Sequence, residues 1–140
     1  MKVSLIFLTV DILIFKEFKG GNSILLIKRK NDPFKDCWAL PGGFVDENED
    51  LEVAAKRELQ EETQIKINHL EQLKAFGKPY RDPRSHVVSI AFTGFVTAET
   101  FAIAGDDAKE LKWFSVNDLP KLAFDHIEMI NFTLFKHKIK

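Results

Sequence analysis

Cysteine occurs once in these 140 residues, at Cys37, so no internal disulfide can brace the fold. Its place beside Trp38 in an apolar stretch makes it a buried thiol before a nucleophile. An excess of charge is also missing: 20 Lys+Arg stand against 21 Asp+Glu, which leaves no strong field for gripping a nucleic-acid backbone. No apolar run is long enough to span a bilayer. Val3 to Phe15, behind Lys2, is interrupted by Asp11 and followed by no small-residue cleavage site, which marks a buried strand rather than a signal peptide. Repeats and low-complexity segments are absent too. What is present is a hydrophobic content of 45%, enough for one domain of this length to bury its own core. The expectation is a single cytoplasmic domain over residues 1–140, without nucleic-acid or membrane partners.

β-Branched and aromatic residues from Val3 to Phe15 predict a strand, Gly20-Gly21-Asn22 a turn, and Ile24 to Ile27 a second strand. Asn31-Asp32-Pro33 breaks the chain, Trp38-Ala39-Leu40 is a short extended piece, and Pro41-Gly42-Gly43 stops it. Asp50 is placed to N-cap a helix from Leu51 to about Thr63, a stretch of good helix formers free of Gly and Pro. Further strands are predicted at Leu70 to Phe76, His86 to Val96 and Leu111 to Phe114, with loops over Gly77 to Ser85 and Thr97 to Lys109. Asp125 opens a final helix to about Lys136, with Glu128 at the capping-box position.

The first helix carries a charge pattern that an ordinary solvated helix avoids. Glu58, Glu61 and Glu62 are related by i, i+3 and i, i+4 spacing and so share one face with Ala54 and Ala55. Like charges at this spacing cost roughly 0.2–0.5 kcal/mol per pair, and anions near a helix C-terminus also oppose its dipole. Either something positive sits among them or the face is solvated, with Lys56 and Arg57 in partial compensation. A hard divalent cation suits the first case, because Mg²⁺ takes oxygen ligands and is often shared between carboxylates and substrate phosphates. Just upstream, the glycines of Pro41-Gly42-Gly43 permit close ligand approach, so that the Gly42 carbonyl could join the carboxylates. Glu49 lies near the helix start, where Arg57, about two turns on, could order it.

Gly43, Glu49, the run Arg57-Glu58-Leu59-Gln60-Glu61-Glu62-Thr63 and the apolar Ile65 together resemble the Nudix hydrolase signature. Gln64 stands where that pattern has Gly, and a non-Gly residue in the left-handed conformation costs roughly 1 kcal/mol, so the turn at the helix end is left open. The resemblance implies an α/β fold, an α/β/α sandwich with a mixed β-sheet. It also implies that Glu58, Glu61, Glu62 and the Gly42 carbonyl hold Mg²⁺, with Mn²⁺ an alternative, and that Arg57 and Glu49 orient that set. The reaction implied is in-line attack of water on a pyrophosphate, the ion neutralising the phosphate oxygens and acidifying a water. The proton acceptor is open between Glu58, Glu62 and the acids of the loop before Trp113: Asp106, Asp107 and Glu110.

Outside the signature, Arg81-Asp82-Pro83-Arg84-Ser85-His86-Val87-Val88-Ser89, Gly105-Asp106-Asp107-Ala108, Trp113-Phe114 and Leu122-Ala123-Phe124-Asp125-His126 look like ADP-ribose pyrophosphatases and related Nudix domains of NAD metabolism, although Ser85 often has Gly as its counterpart. That resemblance implies hydrolysis of ADP-ribose to AMP and ribose 5-phosphate. Arg81 and Arg84, with Arg29 assisting, could clamp a phosphate or the terminal ribose, since guanidinium forks bind phosphate bidentately; a surface ion pair to Asp82 or another acid is the equal alternative. Asp106 belongs with them on the substrate side, as Asp107 does on the catalytic side. Phe34 and Trp38 pack the core before they stack on a base, His86 is a structural hydrogen-bonder, and His126 caps or packs the final helix. Two other functions compete: hydrolysis of a nucleoside triphosphate or another nucleotide sugar, and ADP-ribose sensing without cleavage. Dimers are common among the resembled enzymes, so a homodimer is expected.

Overall fold

The computed structural model describes residues 2–18, 20–105 and 108–140. Along the chain run strands β1 (Phe7–Phe18), β2 (Gly21–Arg29), β3 (Trp38–Ala39) and β4 (Gly42–Phe44), helix α1 (Leu51–Thr63), strands β5 (Glu71–Phe76), β6 (Val87–Val96) and β7 (Ala108–Ser115), and helix α2 (His126–Lys136). They form one mixed sheet in which β1 is central. It pairs in parallel with β6 along Phe7 to Lys16, β5 extends the sheet antiparallel to β6, and β7 runs antiparallel to β2.

Side-chain alternation explains why β1 is apolar on both faces. Val10, Ile12 and Ile14 pack with Ala54, Ala55 and Leu59 of α1, while Leu13 and Phe15 pack with Met129 and Ile130 of α2. A strand covered by helices on both sides reads as a continuous hydrophobic run, because its period of two puts alternate residues into opposite layers. Each large apolar side chain so buried contributes about 1.5–3 kcal/mol. The helices thus lie on opposite faces of the sheet, an α/β/α arrangement.

The hairpin of β1 and β2 is close only near its turn, where Phe15 to Phe18 pair with Ile24 to Gly21. Beyond it the two strands part. Strand β3 then takes up β2 through Ile27 and Lys28, and β4 takes up β1 through Thr9 to Asp11. A cleft opens where they separate.

Several expectations change. β1 starts at Phe7, whose N–H bonds His86 O at 3.0 Å; Leu5 before it is 78% exposed and belongs to no strand. Pro41-Gly42-Gly43 does not simply stop the chain, since Gly42 and Gly43 pair with Asp11 and Val10. β7 begins earlier, at Ala108 opposite Arg29, and the register shifts before Glu110 meets Lys28. Asp50 and Asp125 hold the N-cap positions without side-chain cap bonds; the Asp125 carboxylate is taken by Arg81 instead. Cys37 is half-buried rather than buried. Among the described residues no helix is long and apolar enough to cross a membrane.

Candidate active site

The cleft holds a cavity of about 460 Å³. Asp11 from β1 and Gly42 from β4 line it, Glu58 and Glu62 of α1 give it an acidic wall, and Arg29 and Arg84, both over the Phe124 ring, give it a basic one. A lining that carries both signs of charge suits a ligand that is itself negative and brings or meets a cation.

On the acidic wall the helix spacing has a definite outcome. Glu62 is buried, and its Oε1 accepts the Gly42 N–H at 2.8 Å. Glu58 is half-buried and lies against Gly43, where an added Cβ would stand 2.6 Å from its carboxylate carbon. Glu61 turns outward, its side chain 58% exposed. The positive group among these acids is Arg57. Its Nε and Nη2 fork onto Glu49 at 2.7 and 2.8 Å, and its Nη1 reaches Glu58 at 2.8 Å and Glu61 at 3.3 Å. The three carboxylates consequently divide between partners, and among the described residues no group of three His, Cys, Asp or Glu is gathered around one point. Arg57 draws Glu58 and Glu61 toward itself, while Gly42 fixes Glu62.

Electrostatics follow from that division. The hydrogen bonds from Arg57, then the backbone at Asp46, hold the Glu49 carboxyl at about 2. Glu58 moves the other way, because burial pushes it up by more than Arg57 pulls it down. A carboxylate with a desolvation cost that its neighbours leave partly uncompensated gains from an additional cation. The hard oxygen donors of Glu58 and Glu62 at one cavity wall therefore fit a divalent ion chemically.

On the basic wall both loop arginines make the ion pairs that were the equal alternative. The Arg81 side chain is only 4% exposed; its Nε and Nη2 fork onto Asp125 at 2.9 and 2.6 Å, and Nη1 donates to Val87 O. The bidentate geometry foreseen for phosphate is used inside the protein. Arg84 is held by Asp82 through Nε and Nη2 at 3.1 and 2.7 Å and rests over Phe44 and Phe124. Burial raises Asp82, but the bonds from Arg84 outweigh it and keep the carboxyl below its ordinary range. Arg29 donates Nε to Pro33 O at 2.7 Å and lies over Phe124. Burial and then the nearby Arg84 lower its pKa, so a shared anion would relieve both guanidiniums.

Phe34 meets Phe124 edge-on at 4.8 Å, and Trp38 meets Phe114 likewise. His86 contacts Gly77 O at 3.3 Å. Glu110 pairs across β7 with Lys28. Asp106 and Asp107 lie outside the described residues, but the loop before them is tied to α1: the N–H groups of Ile103 and Gly105 donate to Thr63 O and Glu62 O at 2.9 Å. Gly105 is required there, because a Cβ would collide with the Glu61 carbonyl.

Sequence reading missed Asp11, Ser89 and Asp82 as parts of the site. Asp11 is buried and accepts Ser89 Oγ–H at 2.5 Å. His126, also buried, accepts the Leu40 N–H on Nδ1 at 3.1 Å and presents Nε2 to Asp11 at 3.6 Å. Because Nδ1 accepts an N–H it carries no proton, which makes the ring neutral and the Asp11 contact no ion pair; burial lowers the pKa of His126 in the same sense, against the attraction of Asp11. One signal was available: a lone Asp in an otherwise apolar strand demands a buried partner.

Strand order and helix placement define the class, an α/β/α sandwich with its cleft at a splayed hairpin. The NUDIX domain family model matches residues 6–133, and the chain belongs to that family. An ADP-ribose pyrophosphatase of Methanocaldococcus jannaschii is 53% identical over 109 residues, covering 78% of this chain and 64% of that protein. The ADPR responsive transcriptional repressor NtrR of Acinetobacter baylyi is 36% identical over 127 residues, covering 88% of this chain and 51% of that protein. Among solved structures, the NUDIX domain of Shewanella oneidensis NrtR complexed with ADP ribose superposes with a TM-score of 0.89 at 33% identity, covering 96% of this chain and 90% of that one. The chain spans between half and two thirds of the length of these two curated relatives.

Proposed function

We propose that this domain is a Mg²⁺-dependent pyrophosphohydrolase that cleaves ADP-ribose to AMP and ribose 5-phosphate. The observation that carries the reading is the cleft itself, whose lining brings Glu58 and Glu62 of the acidic helix into one cavity with Arg29 and Arg84. The likeness to an ADP-ribose pyrophosphatase and to a domain complexed with ADP ribose supports the substrate. Glu58, Glu61, Glu62 and the Gly42 carbonyl would hold the ion, with Mn²⁺ an alternative to Mg²⁺. When bound, a divalent ion supplies charge neutralisation at phosphate oxygens and acidifies a water. Arg57 and Glu49 keep the helix carboxylates in place. Arg84 and Arg29 receive the phosphate that faces away from α1, and Arg81 braces their loop against Asp125. Glu58, Glu62 and the acids Asp106, Asp107 and Glu110 are the candidate proton acceptors, with Asp107 catalytic and Asp106 on the substrate side.

Phosphorus NMR of ADP-ribose turnover with Mg²⁺ tests this directly. Glu62→Gln and Glu58→Gln should each lower kcat by about two orders of magnitude or more, in the range for loss of a group acting on the transition state. Turnover matching the wild type in both would remove their role. A second reading, ADP-ribose sensing, is favoured by the NrtR domain complex; saturable binding with no AMP released over hours would select it.

A further inference from the structure

We infer that His126 is a positioning residue for Glu62, acting through the backbone of residues 40–42 and braced by Asp11 and Ser89. Its catalytic consequence rests on the reading of Glu62 as an ion-holding carboxylate. Three consecutive residues each give one backbone group to a different element. The Leu40 N–H donates to His126 Nδ1 at 3.1 Å, the Pro41 carbonyl accepts from Ile12 N–H at 2.8 Å, and the Gly42 N–H donates to Glu62 Oε1 at 2.8 Å. The grip of α2 on the chain is thus two residues from the grip of the chain on α1.

The side facing β1 is equally constrained. A Cβ on Gly42 would stand 2.6 Å from Asp11 Oδ1 and collide with the Val10 carbonyl, so the glycine backbone rides directly on Asp11. Asp11 in turn is held by Ser89 at 2.5 Å and faces His126 Nε2. A neutral imidazole serves both neighbours, accepting from Leu40 on one nitrogen and turning the N–H of the other toward the Asp11 carboxylate. An apolar replacement would strand the Leu40 N–H away from water, and the segment would shift to recover a partner.

Amide hydrogen exchange at Gly42 in the metal-free protein, and kcat and KM for ADP-ribose with Mg²⁺, test this in wild type, His126→Leu, His126→Asn and Ser89→Ala. Asparagine keeps an acceptor near the place of Nδ1. In His126→Leu, Gly42 exchange should quicken about tenfold relative to Ile14, and kcat should fall about tenfold with KM nearly constant, as expected for one lost hydrogen bond. His126→Asn should restore both most of the way. Unchanged Gly42 exchange in His126→Leu, or a defect that asparagine does not repair, overturns the proposal. If His126→Leu does not fold, Ser89→Ala decides: faster Gly42 exchange supports the brace, and unchanged exchange overturns it. A wild type inactive on ADP-ribose whose Gly42 exchange still responds to His126→Leu defeats the assigned reaction and leaves the positioning role standing.

Discussion

Arg57 sits where four acids meet, within 4 Å of Asp46, Glu49, Glu58 and Glu61, and the consequences for pH differ between its partners. The Glu49 carboxyl is held at about 2 in the folded state, so its pairing stabilises the fold above the ordinary carboxylate range and is lost as pH falls through that range toward about 2. Glu58 has the opposite sign: its raised pKa means that ionisation works against folding as pH climbs past the unfolded value. Urea midpoints across pH should therefore show Glu49→Gln destabilised at neutral pH with a flattened acid limb, and Glu58→Gln at least as stable as wild type at neutral pH without metal. A steeper acid limb in Glu49→Gln would contradict the pairing. The Arg57 and Glu49 partnership was legible because two helical turns separate Arg57 from the acid before the helix. Asp11, Ser89 and His126 were not, since Ser89 lies 78 positions from Asp11 and Leu40 lies 86 from His126. Only the folded sheet makes them neighbours.

Helix α1 was readable to its ends, Leu51 and Thr63, because propensity and the absence of breakers act locally. Its exit was not. Gln64 adopts the left-handed conformation at φ 61° where glycine would be unstrained, and its N–H bonds Gln60 O. Gln64→Gly should raise stability by up to about 1 kcal/mol in thermal or urea unfolding. Gly105→Ala should do the reverse, since the new methyl would collide with the Glu61 carbonyl. Turnover in that variant should drop as well, because the loop leading to Asp106 and Asp107 would lift from the helix end. Equal stability of Gly105→Ala and wild type would show that the loop is not seated there. β4 escaped the sequence for a related reason: Pro-Gly-Gly is a local breaker, and only pairing with β1 and the bond to Glu62 make a strand of it.

For the molecule as a whole, the apolar run that became β1 marked a buried strand and the Nudix resemblance implied helices on both faces of its sheet, yet nothing in hydrophobic pattern foretold where its hairpin would open. If the acidic wall takes a divalent ion, Mg²⁺ at about 100 times its dissociation constant should stabilise the native state by about 2.7 kcal/mol. At this chain length each kcal/mol corresponds to about 3–4 °C in Tm. Calorimetry should show that rise in wild type and lose it in a Glu58→Gln, Glu62→Gln double variant; a rise retained in the double variant would place the ion elsewhere. The stretch from Lys30 to Asp32 borders the cavity, within a connection closed at its base by the Arg29 N–H to Cys37 O bond. That closure separates two design problems: swapping this segment for one of another length would reshape the rim of the cavity, while the carboxylates of α1, anchored through a different strand, would keep their register.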